Sequence, residues 1–141
     1  MQVQLADSST NLVALAEVLN QLRPQFTVPY IRAQIEKQMQ DDYQLAFIEE
    51  NGEILGVAGF RLGEKLAWGK HIYVDDLVTN EHHRSEGAGK LLVKWLRGYA
   101  LEHDCQQIHL DSGVQRYMAH KFYLREGFII ASHHFSISPL T

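Results

Sequence analysis

The dipeptide Asn51-Gly52 stands between two apolar-rich runs, residues 43–50 and 53–62, and it constrains the fold more than any other local feature. Asparagine and glycine suit the positive backbone angles of a tight two-residue turn, so the spacing predicts an antiparallel hairpin. Helical periodicity flanks it. Leu12, Leu15, Ala16, Leu19 and Leu22 recur at helical spacing, and Asp7-Ser8-Ser9-Thr10 offers side-chain oxygens to cap a helix running to about Leu22. Pro24 and Pro29 break the pattern, after which Tyr30, Ile31, Ile35 and Met39 predict a second, more polar helix ending near Asp41. A weakly alternating strand over 3–6 precedes both helices.

Beyond a loop near 63–69, residues 71–79 read as a strand rich in β-branched and aromatic side chains. Leu91, Leu92, Trp95, Leu96, Tyr99 and Ala100 then form the apolar stripe of a helix over 87–103. Residues 107–111 predict a short strand, 116–125 a short helix, and 128–138 a closing strand or hairpin arm. The expected order is β-α-α-β-β-β-α-β-α-β, with no internal repeat or linker. With 141 residues and 45% hydrophobic content, the chain supports one sizeable core and reads as one α/β domain over 1–141.

Composition excludes several functions. A formal net charge of -4 supplies no excess cation for a nucleic-acid backbone. Cys105 is the only cysteine, which rules out an intramolecular disulfide and a cysteine-rich metal site and fits a reducing, cytoplasmic setting. The eight histidines are scattered, and the pairs His82/His83 and His133/His134 lack helical metal-ligand spacing, so no metal is expected. Residues 1–7 show no export signal and no uncharged apolar run reaches membrane-spanning length, so no membrane association is expected.

The sharpest local motif is His83-Arg84-Ser85-Glu86-Gly87-Ala88-Gly89-Lys90, between a strand and a strongly amphipathic helix. A helix start presents unpaired N–H groups and the positive end of its dipole, which suit a phosphate. Gly87 and Gly89 would let phosphate oxygens approach the backbone, although the same glycines also fit a merely flexible helix start. A P-loop would need glycine in place of Arg84 and Ser or Thr in place of Leu91. The dinucleotide fingerprint would need a third glycine.

Arg84-x-x-Gly87-x-Gly89 after a strand resembles the Q/R-x-x-G-x-G/A signature of the GNAT superfamily of N-acetyltransferases. Residues 119–128, Ala-His-Lys-Phe-Tyr-Leu-Arg-Glu-Gly-Phe, resemble that superfamily's later motif, and with nearby Arg116 they are especially similar to aminoalkylphosphonate N-acetyltransferases. The two motifs occur in family order, and the resemblance covers nearly all the chain. It implies an acyl-CoA N-acyltransferase fold, with a mixed central sheet flanked by helices, and acetyl-CoA as cosubstrate. It further implies that the backbone at Leu77, Val78 and Thr79 pairs with the pantetheine arm. Arg84, Ser85, Glu86, Gly87, Ala88, Gly89 and Lys90 would hold the pyrophosphate. Many members carry asparagine seven positions before the motif tyrosine; here Arg116 stands there, so that contact does not transfer.

Acetyl transfer needs an uncharged amine, and alkyl amines are mostly protonated at neutral pH, so a carboxylate or a water chain leading to one must take the proton. Asp75 and Asp76 are the candidates, and strand alternation sends adjacent residues to opposite faces. Either one equally suits a structural hydrogen-bond network or an exposed sheet position. By resemblance Tyr123 is the general acid that protonates the departing thiolate; without it, a core tyrosine is the simpler reading. Cys105, with no sequence-local base, reads as an inert thiol, which favours direct attack by the amine. Arg23, Tyr30 and Arg32 would engage an acidic group of the acceptor, or else lie on solvated helix faces. A catalytically idle acetyl-CoA sensor or interaction module is the alternative function. The exposed apolar run over 128–137, pairing across a two-fold axis, would give a homodimer.

Overall fold

The computed structural model describes residues 1–84 and 86–141, and their contacts divide into two units, Met1–Leu110 and Asp111–Thr141. The first unit opens with strand β1 (Val3–Leu5) and helices α1 (Leu12–Leu22) and α2 (Val28–Met39). Asp7, Ser9 and Thr10 close a turn on one another, and it is Asn11 that caps α1, accepting from the N–H groups of Val13 and Ala14 at 3.1 and 3.3 Å. An amide one residue nearer the helix reaches its orphan donors; the four expected oxygens do not. Thr27 caps α2, with Pro29 in its first turn where no intrahelical donor is lost.

Strands β2 (Tyr43–Glu50) and β3 (Glu53–Lys65) form the expected hairpin, with positive φ at both Asn51 (54°) and Gly52 (80°). Strand β4 (Gly69–Thr79) and a 3₁₀ turn (Glu81–His83) lead to α3 (Ala88–Glu102), and β5 (Gln107–Leu110) ends the unit. The sheet order is β1-β2-β3-β4-β5, antiparallel except for the parallel pair β4–β5 that the α3 crossover requires.

Two cores lie on opposite faces of this sheet. Leu15, Leu19, Ile31 and Ile35 of α1 and α2 pack with Tyr43, Leu45, Phe47, Val57 and Val78. Leu92, Leu96 and Ala100 of α3 pack with Ile48, Ala58, Phe60, Ile72 and Val74. Leu92 and Leu96 are fully buried, each contributing on the order of 2 kcal/mol of apolar transfer. The predicted stripe therefore faces the sheet.

The second unit contains α4 (Tyr117–Arg125), after which the chain runs on without regular structure. The closing strand expected over 128–138 is not formed. Its apolar residues Ile129, Ile130, Phe135 and Ile137 are all at least 77% exposed. Alternating composition prepares a strand, but the backbone groups become a strand only against a neighbouring edge.

Candidate active site

Strand β4 changes character halfway along. Val74 pairs with Phe60 and Asp76 with Gly59, so Asp75 is an extra residue opposite no partner on β3, a β-bulge. On its other side, β4 pairs with β5 only from His71 to Val74. From Asp75 to Thr79, no strand among the described residues pairs with that edge. The main-chain groups of Leu77, Val78 and Thr79 thus lie on an edge without a strand partner among the described residues, on the strand where the sheet passes from antiparallel to parallel pairing.

The bulge corrects the expected arrangement of the two aspartates. Simple alternation would separate them, but the extra residue resets the pleat and both carboxylates meet partners on the face that carries Tyr43. Asp75 Oδ2 accepts from Arg61 Nε at 3.0 Å, and the Arg61 guanidinium lies 5.3 Å from the centre of the Tyr43 ring. Asp76 accepts from the Tyr43 hydroxyl at 2.7 Å and from Arg23 Nε and Nη2 at 3.2 and 3.0 Å. Burial pushes the Asp75 carboxyl above the ordinary aspartate range, opposed by the Arg61 hydrogen bond and charge; the neighbouring Asp76 charge raises it further. Burial likewise pushes the Tyr43 phenol far up, reinforced by Asp76, so the phenol remains a donor.

Gly59 makes this possible. A Cβ there would overlap the Tyr43 hydroxyl, so only glycine leaves the phenol a path across β3 to Asp76. Composition gave no sign of this: Arg23, Tyr43, Gly59 and Arg61 are scattered over 39 positions and only strand register brings them together.

The loop after β4 ends in Gly87, the N-cap of α3, with φ of 84°, a left-handed conformation that side chains other than glycine adopt at a cost. No side chain among the described residues caps α3, and no acidic residue occupies its first turn. The leading N–H groups therefore face outward with the positive end of the dipole, and Arg84 and Lys90 are exposed beside them. Ala88 and Gly89 are buried on the core side, and Ser85 lies outside the described residues. His83 bridges two carboxylates: Nδ1 meets Glu86 at 2.8 Å and Nε2 meets Glu53. Those contacts, led by the Glu86 hydrogen bond, raise its pKa.

A twofold likeness settles the family. A family model described as the acetyltransferase (GNAT) family matches residues 14–128. The chain belongs to that family. As a GNAT member it is an N-acetyltransferase with acetyl-CoA as cosubstrate. It is 31% identical over 120 residues to the uncharacterized N-acetyltransferase YhdJ of Bacillus subtilis strain 168, covering 84% of each chain. It is 30% identical over 87 residues to the aminoalkylphosphonate N-acetyltransferase of Salmonella typhimurium, covering 61% of this chain and 55% of that one. Among solved structures, aminoglycoside N-acetyltransferase AAC(6')-Iy in complex with CoA shares the fold at a TM-score of 0.86 and 14% identity, over 99% and 95% of the two chains. A putative acetyltransferase from Agrobacterium tumefaciens gives 0.83 at 22% identity, over 97% and 99%.

Of the remaining sequence candidates, Tyr123 is buried on α4 of the second unit, edge-on to Phe122 and Phe128. Burial raises its pKa, while the charge and hydrogen bond of Arg116 pull it down. Arg116, noted in the sequence only as a departure from the family pattern, is thus a partner of the phenol. Two acceptor candidates are otherwise engaged. Arg23 is committed to Asp76, and Arg32 pairs with Glu36 on its own helix at 3.3 Å. Tyr30 is half exposed and stacks on Phe26. Cys105 is buried and its pKa is raised by burial, which leaves it a protonated, inert thiol. Among the described residues, no cluster of three metal-ligating side chains occurs and no helix is long and apolar enough to cross a membrane.

Proposed function

We propose that the chain moves the acetyl group of acetyl-CoA directly onto a primary amine of a small molecule or protein. The observation that carries this reading is the unpaired edge of β4 at Leu77, Val78 and Thr79, followed in the chain by an uncapped helix start. An extended chain of amides adds to such an edge as a strand does. The outward N–H groups of α3, with Arg84 and Lys90, suit a pyrophosphate, and Glu86, Gly87, Ala88 and Gly89 complete the loop. Ser85 belongs to the same proposed loop by its place in the motif.

Of the two aspartates, Asp75 is the better base. Both oxygens of Asp76 already accept hydrogen bonds, whereas Asp75 Oδ1 has no partner among the described residues. In the proposed reaction Asp75 takes a proton from the ammonium, directly or through water. The amine nitrogen then bonds to the thioester carbon, and collapse of the intermediate breaks the carbon–sulfur bond. Tyr123 gives its proton to the sulfur, and the second proton of the acetylated nitrogen passes through water to the phenolate, which leaves a neutral amide and restores the phenol. The raised pKa of Tyr123 supports its role because an acid must hold its proton until it is needed.

The family match runs from 14 to 128, through both units, which supports their acting as one domain over 1–141. The buried free thiol supports a cytoplasmic setting. The exposed apolar residues of 129–137 support a homodimer in which they are covered, to be read by sedimentation.

Calorimetric titration with acetyl-CoA and with free coenzyme A tests the binding reading: both are expected to bind, and failure of both would overturn it. Thiol release from acetyl-CoA, read with an aminoalkylphosphonate, an aminoglycoside, a polyamine and a peptide bearing a free N-terminus, tests the transfer. Binding without release from any amine would favour the idle module.

A further inference from the structure

Arg23 stands at the C-terminal cap of α1, at the start of the turn into α2, yet its guanidinium is spent on β4. Nε and Nη2 both donate to Asp76 Oδ1, and Nη2 also donates to the main-chain carbonyl of Asp75 at 3.1 Å. The other oxygen of Asp76 is taken by the Tyr43 hydroxyl. Donors from the end of a helix and from β2 therefore converge on the two residues of the bulge.

The gripped carbonyl belongs to Asp75 itself. A bulge residue lacks the ladder partner that fixes its neighbours, so its peptide plane is free to rotate unless something else holds it. Rotation of that plane would carry the Asp75 side chain with it. We infer that Arg23 is a positioning residue for acetyl transfer, setting the aim of the Asp75 carboxylate through the Asp75 carbonyl and through Asp76, with Tyr43 as the second arm of the clamp. This rests on the reading of Asp75 as the base.

A merely structural role makes a different prediction. The Arg23 side chain is 42% exposed, so its ion pair with Asp76 is screened and its loss costs little stability. The clamp instead predicts a loss in turnover that depends on Asp75. Misplacement of a reacting group by a fraction of an ångström is enough to slow a reaction severely, so Arg23→Gln is expected to lower kcat about tenfold. KM for acetyl-CoA should stay within about twofold, because the backbone edge beyond the bulge is untouched. Arg23→Lys, which keeps the charge but lacks the fork that joins Asp76 to the carbonyl, should recover part of the loss.

A double-mutant cycle decides the matter, using whichever amine of the panel above turns over fastest. Arg23→Gln is made in the wild-type background and in Asp75→Asn, and Tyr43→Phe, which keeps the ring, is made in both as a second probe. If Arg23 acts through Asp75, its effect on kcat shrinks to less than about twofold once Asp75 is gone. Equal losses in both backgrounds, or a lowered melting temperature with unchanged kcat, would overturn the positioning role. Asp75→Asn alone separates the two claims. Wild-type turnover in that variant removes the base and the clamp with it, whereas a slowed Asp75→Asn with additive effects removes only the clamp.

Discussion

The Tyr43 hydroxyl donates to Asp76 Oδ2 at 2.7 Å, joining β2 to β4 across the intervening strand. It does so over Gly59, which pairs with Asp76 in the β3–β4 register and with Leu45 in the β2–β3 register. The consequence is that β2 and β4 are tied by side chains above β3, which provides the clearance.

Gly59→Ala should therefore act as an overpacking substitution rather than a gain in strand propensity. The added Cβ overlaps the phenol of Tyr43, a residue only 2% exposed, which has nowhere to retreat. The expected loss is about 1–3 kcal/mol in urea denaturation. Tyr43→Phe in the Gly59→Ala background should restore part of it, since the hydroxyl is the nearest atom to the new methyl. An unchanged midpoint for Gly59→Ala would show that the strands part easily.

Asp75 predicts a pH profile. Its folded pKa lies above the ordinary aspartate value of 3.8, with burial as the leading cause. The acidic limb of kcat/KM should therefore lie above that value and change in Asp75→Asn. The stability sign follows. A raised folded value means the folded state binds more protons between the two pKa values, so Asp75 costs stability as pH rises from about 3.8 through the folded value. Denaturation series of wild type and Asp75→Asn across that window should diverge, the wild type losing stability relative to the variant. Parallel series would remove the shift.

His83 predicts a dependence of the same sign at higher pH. A ring whose two nitrogens each meet a carboxylate needs both protons, and its pKa is raised above the ordinary 6.5. Its contribution is fully present below 6.5 and is lost as pH rises through the folded value. Losing the proton also leaves Glu86 without its counter-charge beside the proposed phosphate loop. Affinity for coenzyme A should fall over that range, and His83→Gln should flatten the fall. Identical slopes for the two proteins would place His83 outside the binding linkage.

Tyr123→Phe removes one oxygen and keeps the packing against Phe122 and Phe128. If the phenol protonates the leaving sulfur, turnover drops by about a hundred-fold while acetyl-CoA affinity holds. Arg116→Ala offers a companion measurement. Without the cation the phenol pKa rises further, which keeps the proton on but weakens it as an acid, so turnover falls less than in Tyr123→Phe. Wild-type turnover in Tyr123→Phe would remove the acid role.

The parts legible from residues alone are those that local physics decides. Positive-φ residues at Asn51-Gly52 make a hairpin in any context, and a 3.6-residue stripe such as Leu92, Leu96 and Ala100 must be buried somewhere. A glycine at the N-cap of a helix likewise leaves donors open whatever the remainder of the chain does. These signals placed the elements as far as α4, the glycine loop before α3 and the family. What tertiary structure alone decided lies in register and edges. One extra residue in β4 brought Asp75 and Asp76 to one face, and their different hydrogen-bond partners are Arg23, Tyr43 and Arg61, residues whose meeting depends on tertiary structure. The strand expected over 128–138 failed for the same reason in reverse. Its pattern is local, but a strand exists only where another edge completes its hydrogen bonds, and no stretch of sequence carries its neighbour with it.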